Sequence, residues 1–356
     1  MNTLLQQRGV KSHVFESPFQ TENGDLIPKL ELAYKTYGKL NRTRDNVVVI
    51  CHALTGHAAA EEWFPGLFIE DSFLGDPRWF VICVNVPGSC YGSTGPISLN
   101  PQNGKPYRAD FPELTIRDYV RAQQLLMDEL GVNGIDLVVG GSMGGMQALE
   151  FVLTDDRVKK AAVIAAGARH EPWAIGISEA QRAAIFADAN WNGGYYETGA
   201  EPKKGIASAR MMAMITYRSH AQFVQRFGRE HQHKGPLFQV QSYLQYQGEK
   251  LAKRFDANTY VRLTQAMDTH DVGRERGGVK KVLKGCNKPV LVCGIDSDIL
   301  YPVAEQKKLA KDLPRGIYRE LTSPYGHDAF LIEFEWLQQQ LQEFIELYQD
   351  DHNSRN

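Results

Sequence analysis

No stretch of this sequence stays apolar for the ~18 residues that a membrane-crossing helix needs. The opening residues, MNTLLQQRGVKSHV, lack the charged head and apolar core of a secretory leader. Cysteine is scarce: five residues in 356, an odd number, with no C-x-x-C pair. That argues against a disulfide framework and for a reducing compartment, so a cytoplasmic protein is expected, with no membrane partner. The formal net charge of −2 gives no support to a nucleic-acid partner. The short lysine groups, Lys203-Lys204 and Lys280-Lys281 with Lys284, read as solvated faces. Two histidine pairs, His52 with His57 and His231 with His233, come with no adjacent set of carboxylate and cysteine ligands spaced for a metal, so no metal site is read. Internal repeats and low-complexity segments are also missing. What is left, 43% hydrophobic and 23% charged residues, is the balance of a globular protein with a large core.

The apolar residues are organised as short β-branched runs: NVVVICHA from 46, WFVICVNV from 79, IDLVVGG from 135, KAAVIAAG from 160 and KPVLVCGI from 288. Near-continuous runs of this kind suit parallel strands covered on both faces. Two alternating segments, 12–19 and 28–36, precede them and are joined across TENGD, where Asn23-Gly24 signals a hairpin. Helical patterns fall between the runs. The clearest is TIRDYVRAQQLLMDELG, with Thr115 placed to cap Asp118 and Gly131 at its stop. Alternating strand and helix predicts an α/β fold with a mostly parallel central sheet.

The alternation breaks after Arg169. From 172 to 285 the segments read as helices, among them SEAQRAAIFADANW, with a capping box from Ser178 to Gln181, and GIASARMMAMITYRSHAQFVQRFG. The expected organisation is a core of residues 1–171 and 286–356 with a helical lid of residues 172–285. Such a lid covers the carboxyl edge of the sheet, where open α/β sheets bind ligands.

Ser142 stands in Gly140-Gly141-Ser142-Met143-Gly144, the G-x-S-x-G pattern of a nucleophile elbow, after an apolar run and before the helix former MQALEFVL. A serine hydroxyl is a poor nucleophile without a base and a group to orient that base. In this arrangement the partners follow in the order serine, acid, histidine. Past the lid, VLVCGIDSDILYP offers Asp296 and Asp298, and SPYGHDAFL offers His327 in a glycine-containing loop. Asp298, followed by Pro302, is preferred as the acid. Acyl transfer also needs donors for the tetrahedral oxyanion: the backbone N–H of Met143, and that of Leu54 in the loop CHALTGH.

Together CHALTG, GSCYGSTGP from 88, GGSMGGMQALE, RFDANTYVRLTQAMDTHD from 254 and GHDAFL resemble the homoserine O-acetyltransferases, enzymes of methionine biosynthesis with the α/β-hydrolase fold. The resemblance implies ping-pong transfer of an acetyl group from acetyl-CoA, through Ser142, to the hydroxyl of L-homoserine. It also implies that Arg210 binds the amino acid's carboxylate, that Asp328 binds its ammonium, and that two chains pair through the helical insertion. No resident cofactor is implied; acetyl-CoA is a substrate. A succinyl donor, a serine acceptor, or hydrolysis of an ester or thioester on the same fold stays open here. A pocket separates one methylene by only about 1–3 kcal/mol.

Overall fold

The computed structural model describes residues 9–233 and 235–348. The strands in chain order are β1 (Lys11–Val14), β2 (Phe19–Gln20), β3 (Leu26–Ile27), β4 (Glu31–Tyr37) and β5 (Val47–Cys51). They continue as β6 (Phe80–Val84), β7 (Ile135–Gly141), β8 (Ala161–Ile164), β9 (Val290–Ile295) and β10 (Gly316–Leu321). Eight of them form one sheet in the order β1-β4-β6-β5-β7-β8-β9-β10. The β1-β4 and β4-β6 pairings are antiparallel; every later pairing is parallel. This is the α/β-hydrolase architecture, and each apolar run from 46, 79, 135, 160 and 288 supplies one of its inner strands.

The amino-terminal segments differ from their reading as one hairpin. They make two nested ones: β2 pairs β3 across TENGD, while β1 pairs β4. Pro18 and Pro28 have no N–H to give a ladder, and each interrupts what would otherwise be a continuous strand.

Sequence alternation decides which face each side chain covers. In β5, Val47, Val49 and Cys51 enter one core cluster, and Val48 and Ile50 enter the other. Every residue of β5 and β6 is buried, as a sheet with helices on both sides requires. Two helices of the core are α1 (Ile116–Glu129) and α2 (Met143–Thr154). Thr115 and Asp118 do form the reciprocal capping box that begins α1.

Between β8 and β9 the chain forms α3 (Pro172–Phe186), α4 (Lys203–Thr216), α5 (His220–Phe227), α6 (Gln239–Ala252), α7 (Ala257–Asp268) and α8 (Val279–Lys284). It returns to the core with α9 (Val303–Asp312) and α10 (Phe334–Leu347). Two stems run antiparallel where the helical block leaves the core: His170 N–H donates to His270 C=O at 2.8 Å, and Val272 N–H to Ala168 C=O at 3.1 Å. Val272 and Leu283, beyond those stems, pack into the core cluster.

Two local expectations change. Ser178 does not cap a helix. It lies buried inside α3, which starts earlier, at Pro172, because a proline's fixed φ and missing N–H suit a first helical turn. The segment GIASARMMAMITYRSHAQFVQRFG is two helices, because Ser219 caps α5 by accepting from Gln222 N–H. The break at 217–219 matters for the site.

Candidate active site

β7 ends at Gly141 and α2 begins at Met143, so Ser142 alone turns the chain from strand to helix. Its backbone sits at φ 58° and ψ −126°. A non-glycine residue held there carries strain on the order of 1–3 kcal/mol, sustained only by a surrounding structure that leaves no alternative. That surrounding is unusually tight. A Cβ on Gly140 would lie 2.2 Å from the carbonyl oxygen of Gly144, and one on Gly144 would lie 2.1 Å from that of Cys51. The glycines flanking Ser142 are therefore required by backbone approach. Ser142 N–H donates to Ile164 C=O at 2.9 Å, which ties the turn to β8.

Met143 is the first residue of α2, so its N–H has no partner within the helix. Leu54 lies in the loop after β5, and among the described residues no backbone carbonyl accepts its N–H. The approach of Gly144 to Cys51 and His52 places that loop directly beside the start of α2.

Asp298 follows β9 and is buried. Its Oδ1 accepts from the N–H groups of Leu300 and Tyr301, at 2.8 and 3.0 Å, and its Oδ2 accepts from His327 Nδ1 at 2.7 Å. Asp296 has a different use: its Oδ1 accepts from Ser323 N–H at 3.0 Å and so joins the loop after β9 to the loop after β10. With its Nδ1 proton committed to Asp298, His327 has Nε2 as its basic nitrogen. Burial alone lowers the pKa of this imidazole. The Asp298 charge and hydrogen bond, with Asp328 adding to them, outweigh burial, and the net direction is upward from 6.5.

The loop bearing His327 packs on the serine turn itself. Phe330 fills the space where a Gly141 Cβ would stand, and its ring centroid is 5.7 Å from that of His327. The rings of Tyr301 and Tyr217 lie 5.3 and 5.6 Å from the imidazole. Tyr217 belongs to the break between α4 and α5, so the helical block reaches the histidine. The break is fastened to the histidine loop at several points. Asp328 N–H donates to Tyr217 C=O at 3.1 Å, Ser219 Oγ donates to Pro324 C=O, and Gly326 lies so close to Arg218 that a Cβ would sit 2.7 Å from its carbonyl carbon.

Arg210, on α4, stacks over Tyr217 with its guanidinium 5.4 Å from the ring centroid, and no ion pair takes it among the described residues. Asp328 is half-buried, and its pKa is raised by desolvation, against the pull of Arg218, His327 and Arg210. Its Oδ2 lies 3.1 Å from Arg218 Nη2. The sequence alone does not single out Arg218. Within an apparently continuous helical pattern it looks like any surface arginine, and only the break at 217–219 turns it inward.

One further carboxyl bears on Asp298. Glu305 in α9 has its Oε2 buried without a partner among the described residues. Burial, with the charges of Glu171 and Asp298, raises its pKa from 4.5 to about 7. Its ionisation therefore costs the folded state nothing below pH 4.5 and the full amount above pH 7. Glu305→Gln is expected to unfold at a higher temperature than the parent at pH 8 and at the same temperature at pH 4. Equal differences at both pH values, measured by calorimetry, would contradict this.

Residues 46–334 match the model of the α/β hydrolase fold family. A homoserine O-acetyltransferase of Trichormus variabilis is 52% identical over 323 residues, covering 90% of this chain and 90% of the relative. One of Chloroherpeton thalassium is 51% identical over 324 residues, 91% of this chain and 85% of the relative. The chain belongs to the homoserine O-acetyltransferase family. Among solved structures, the homoserine O-acetyltransferase of Bacillus anthracis superposes with a TM-score of 0.86 at 25% identity, covering 94% of this chain and 97% of that one. As a member of this family the protein is an acyltransferase, and its elbow serine and buried Asp298-His327 pair stand at the carboxyl ends of adjacent parallel strands β7 to β10.

Proposed function

We propose that the protein transfers an acetyl group from acetyl-CoA to L-homoserine, giving O-acetyl-L-homoserine and CoA, a step of methionine biosynthesis. His327 Nε2 takes the proton of Ser142 as Oγ attacks the thioester carbonyl. The resulting oxyanion is held by the N–H groups of Met143 and Leu54, and the thiolate leaves with the proton from His327. In the second half His327 takes the proton of the homoserine hydroxyl, which attacks the acetyl-serine, and returns a proton to Ser142 as its bond to carbon breaks. Asp298 keeps the imidazole in the productive tautomer.

The observation that carries this reading is the charge arrangement beside His327: Asp328, one residue on, faces arginines from the helical block, Arg218 directly and Arg210 through its field. A zwitterion needs a carboxylate partner and an ammonium partner at opposite ends, and Arg210 and Asp328 supply both. Ser142 and His327 are 6% and 3% exposed, a degree of enclosure that favours a bound hydroxyl acceptor over water. The test is product analysis by mass with homoserine or serine against acetyl- or succinyl-CoA. O-acetylhomoserine is expected as the dominant product; O-succinylhomoserine, O-acetylserine or free acetate in its place would overturn the assignment. In the same assay Arg210→Lys is expected to raise the homoserine KM about tenfold, since the loss of one charge-assisted bond costs about 1.5 kcal/mol.

The exposed apolar residues Ile215, Val224 and Tyr246 on α4, α5 and α6 support a homodimer through the helical block. Sedimentation at micromolar concentration checks it, with a single monomeric species as the contrary result. Five cysteines, all free, support a cytoplasmic location.

A further inference from the structure

His52 takes no part in the proton transfers above, and among the described residues it belongs to no metal-ligand cluster, yet it is fully buried beside the serine turn. Its two ring nitrogens have unequal partners. Val86 N–H, which can only donate, reaches Nε2 at 3.2 Å. Nε2 is therefore the acceptor, and Nδ1 carries the hydrogen of the neutral ring. Nδ1 lies 2.8 Å from the carbonyl oxygen of Ala53, the next residue. Burial lowers the pKa of this imidazole to about 4, so the ring is neutral near pH 7.

The Ala53 carbonyl accepts a second hydrogen bond, from Gly56 N–H at 2.8 Å. Two donors thus converge on one oxygen and fix the plane of its peptide. That peptide also contains the N–H of Leu54. No cis peptide occurs among the described residues. In a trans peptide the C=O and N–H point in opposite directions across a rigid plane. Fixing the Ala53 oxygen therefore aims the Leu54 N–H, which no backbone carbonyl among the described residues accepts. The backbone of His52 is itself anchored from behind. Gln147 on α2 donates to the His52 carbonyl at 3.3 Å and accepts from Gln123 on α1 at 2.9 Å, and both glutamines are fully buried.

We propose that His52 is a positioning residue for acyl transfer: its Nδ1–H locks the Ala53–Leu54 peptide so that the Leu54 N–H is presented to the oxyanion formed at Ser142. This rests on the acyl-transfer reading above and assigns the orientation of its second donor to a particular side chain. A hydrogen bond to the peptide of a catalytic donor acts only on the charge that develops in the transition state, so its loss falls on kcat rather than on substrate binding.

Two substitutions separate the roles of the ring. An asparagine amide nitrogen occupies about the place of Nδ1 and keeps the bond to Ala53. A glutamine amide oxygen reaches about as far as Nε2 and keeps the bond from Val86 while abandoning Ala53. His52→Gln is expected to lower kcat on the order of 10²-fold, the scale of losing one oxyanion donor, with the homoserine KM changed less than threefold. His52→Asn is expected to lose less than tenfold. The affinity of a boronic acid that forms a tetrahedral adduct with Ser142 should fall in parallel with kcat. Should His52→Gln keep kcat while His52→Asn loses it, the ring serves only to hold Val86, and the proposal is overturned.

The nitrogen-15 spectrum of the unsubstituted enzyme is a check that needs no variant to fold. It should show His52 as the neutral Nδ1–H tautomer from pH 5 to 8, and an Nε2–H tautomer would refute the proposal. Failure of the underlying reading looks different: unsubstituted enzyme incubated with labelled acetyl-CoA would then carry no label on Ser142, whatever the His52 variants do.

Discussion

Ser142→Ala is expected to yield a folded protein with no measurable acyl transfer, its turnover lower by roughly 10⁶-fold, the scale on which serine enzymes with a His-Asp pair lose their nucleophile. Folding is expected to survive because the Ser142 side chain makes no capping hydrogen bond to α2, and alanine occupies the same backbone position at the same cost. The strain at φ 58° adds a second expectation. Ser142→Gly should be more stable than Ser142→Ala by about 1–3 kcal/mol, because glycine meets no Cβ penalty there. Denaturant unfolding of the two inactive variants measures this directly. Equal stabilities would mean that the turn is not strained, and substantial turnover in either variant would remove Ser142 from the chemistry.

Asp298→Asn is the second large effect. The volume is unchanged, and the Oδ1 bonds from Leu300 and Tyr301 can persist, but an amide NH₂ then faces His327 Nδ1. The ring answers by placing its proton on Nε2, where the base is needed. In a serine protease the matching change lowers kcat about 10⁴-fold, and a loss of that order is expected here. The pH profile should move as well. Asp298 contributes to raising the His327 pKa above 6.5, and a base works only when neutral, so kcat/KM of the parent enzyme should rise with pH through a midpoint above 6.5. Loss of the Asp298 charge should bring the midpoint of the residual activity to lower pH. Asp296→Asn keeps an oxygen for Ser323 N–H and is expected to cost less than tenfold. If Asp296→Asn were the crippling change, the acid is misassigned.

The inner sheet was legible because burial on both faces leaves little choice of residue. The run Val47–Cys51, for example, is apolar and buried at every position. The serine turn was equally plain, since the approach of Gly144 to Cys51 tolerates no side chain and writes itself into the sequence as glycine. Asp298 and Asp296 were separable only by preference, and the structure gives them different partners, His327 for one and Ser323 for the other. Other features left no local mark. The cap expected at Ser178 failed because Pro172 starts α3 earlier, and the α4–α5 break was hidden among good helix formers. Arg218 gains its importance from Asp328, which is remote in sequence, and His52 gains its own from the orientation of a single peptide. Periodicity reports burial along a segment; it carries no information about which distant polar groups the fold will bring to a side chain.

The central claim is that Ser142 carries the acyl group between two substrates in an enclosed site. Enzyme mixed with isotopically labelled acetyl-CoA in the absence of any amino acid, quenched in acid, digested and weighed by mass spectrometry, tests it most directly. The account predicts one acetyl group on the peptide containing Ser142, discharged on addition of homoserine with the label recovered in O-acetylhomoserine. An unmodified Ser142 peptide, or label on another residue, would contradict it.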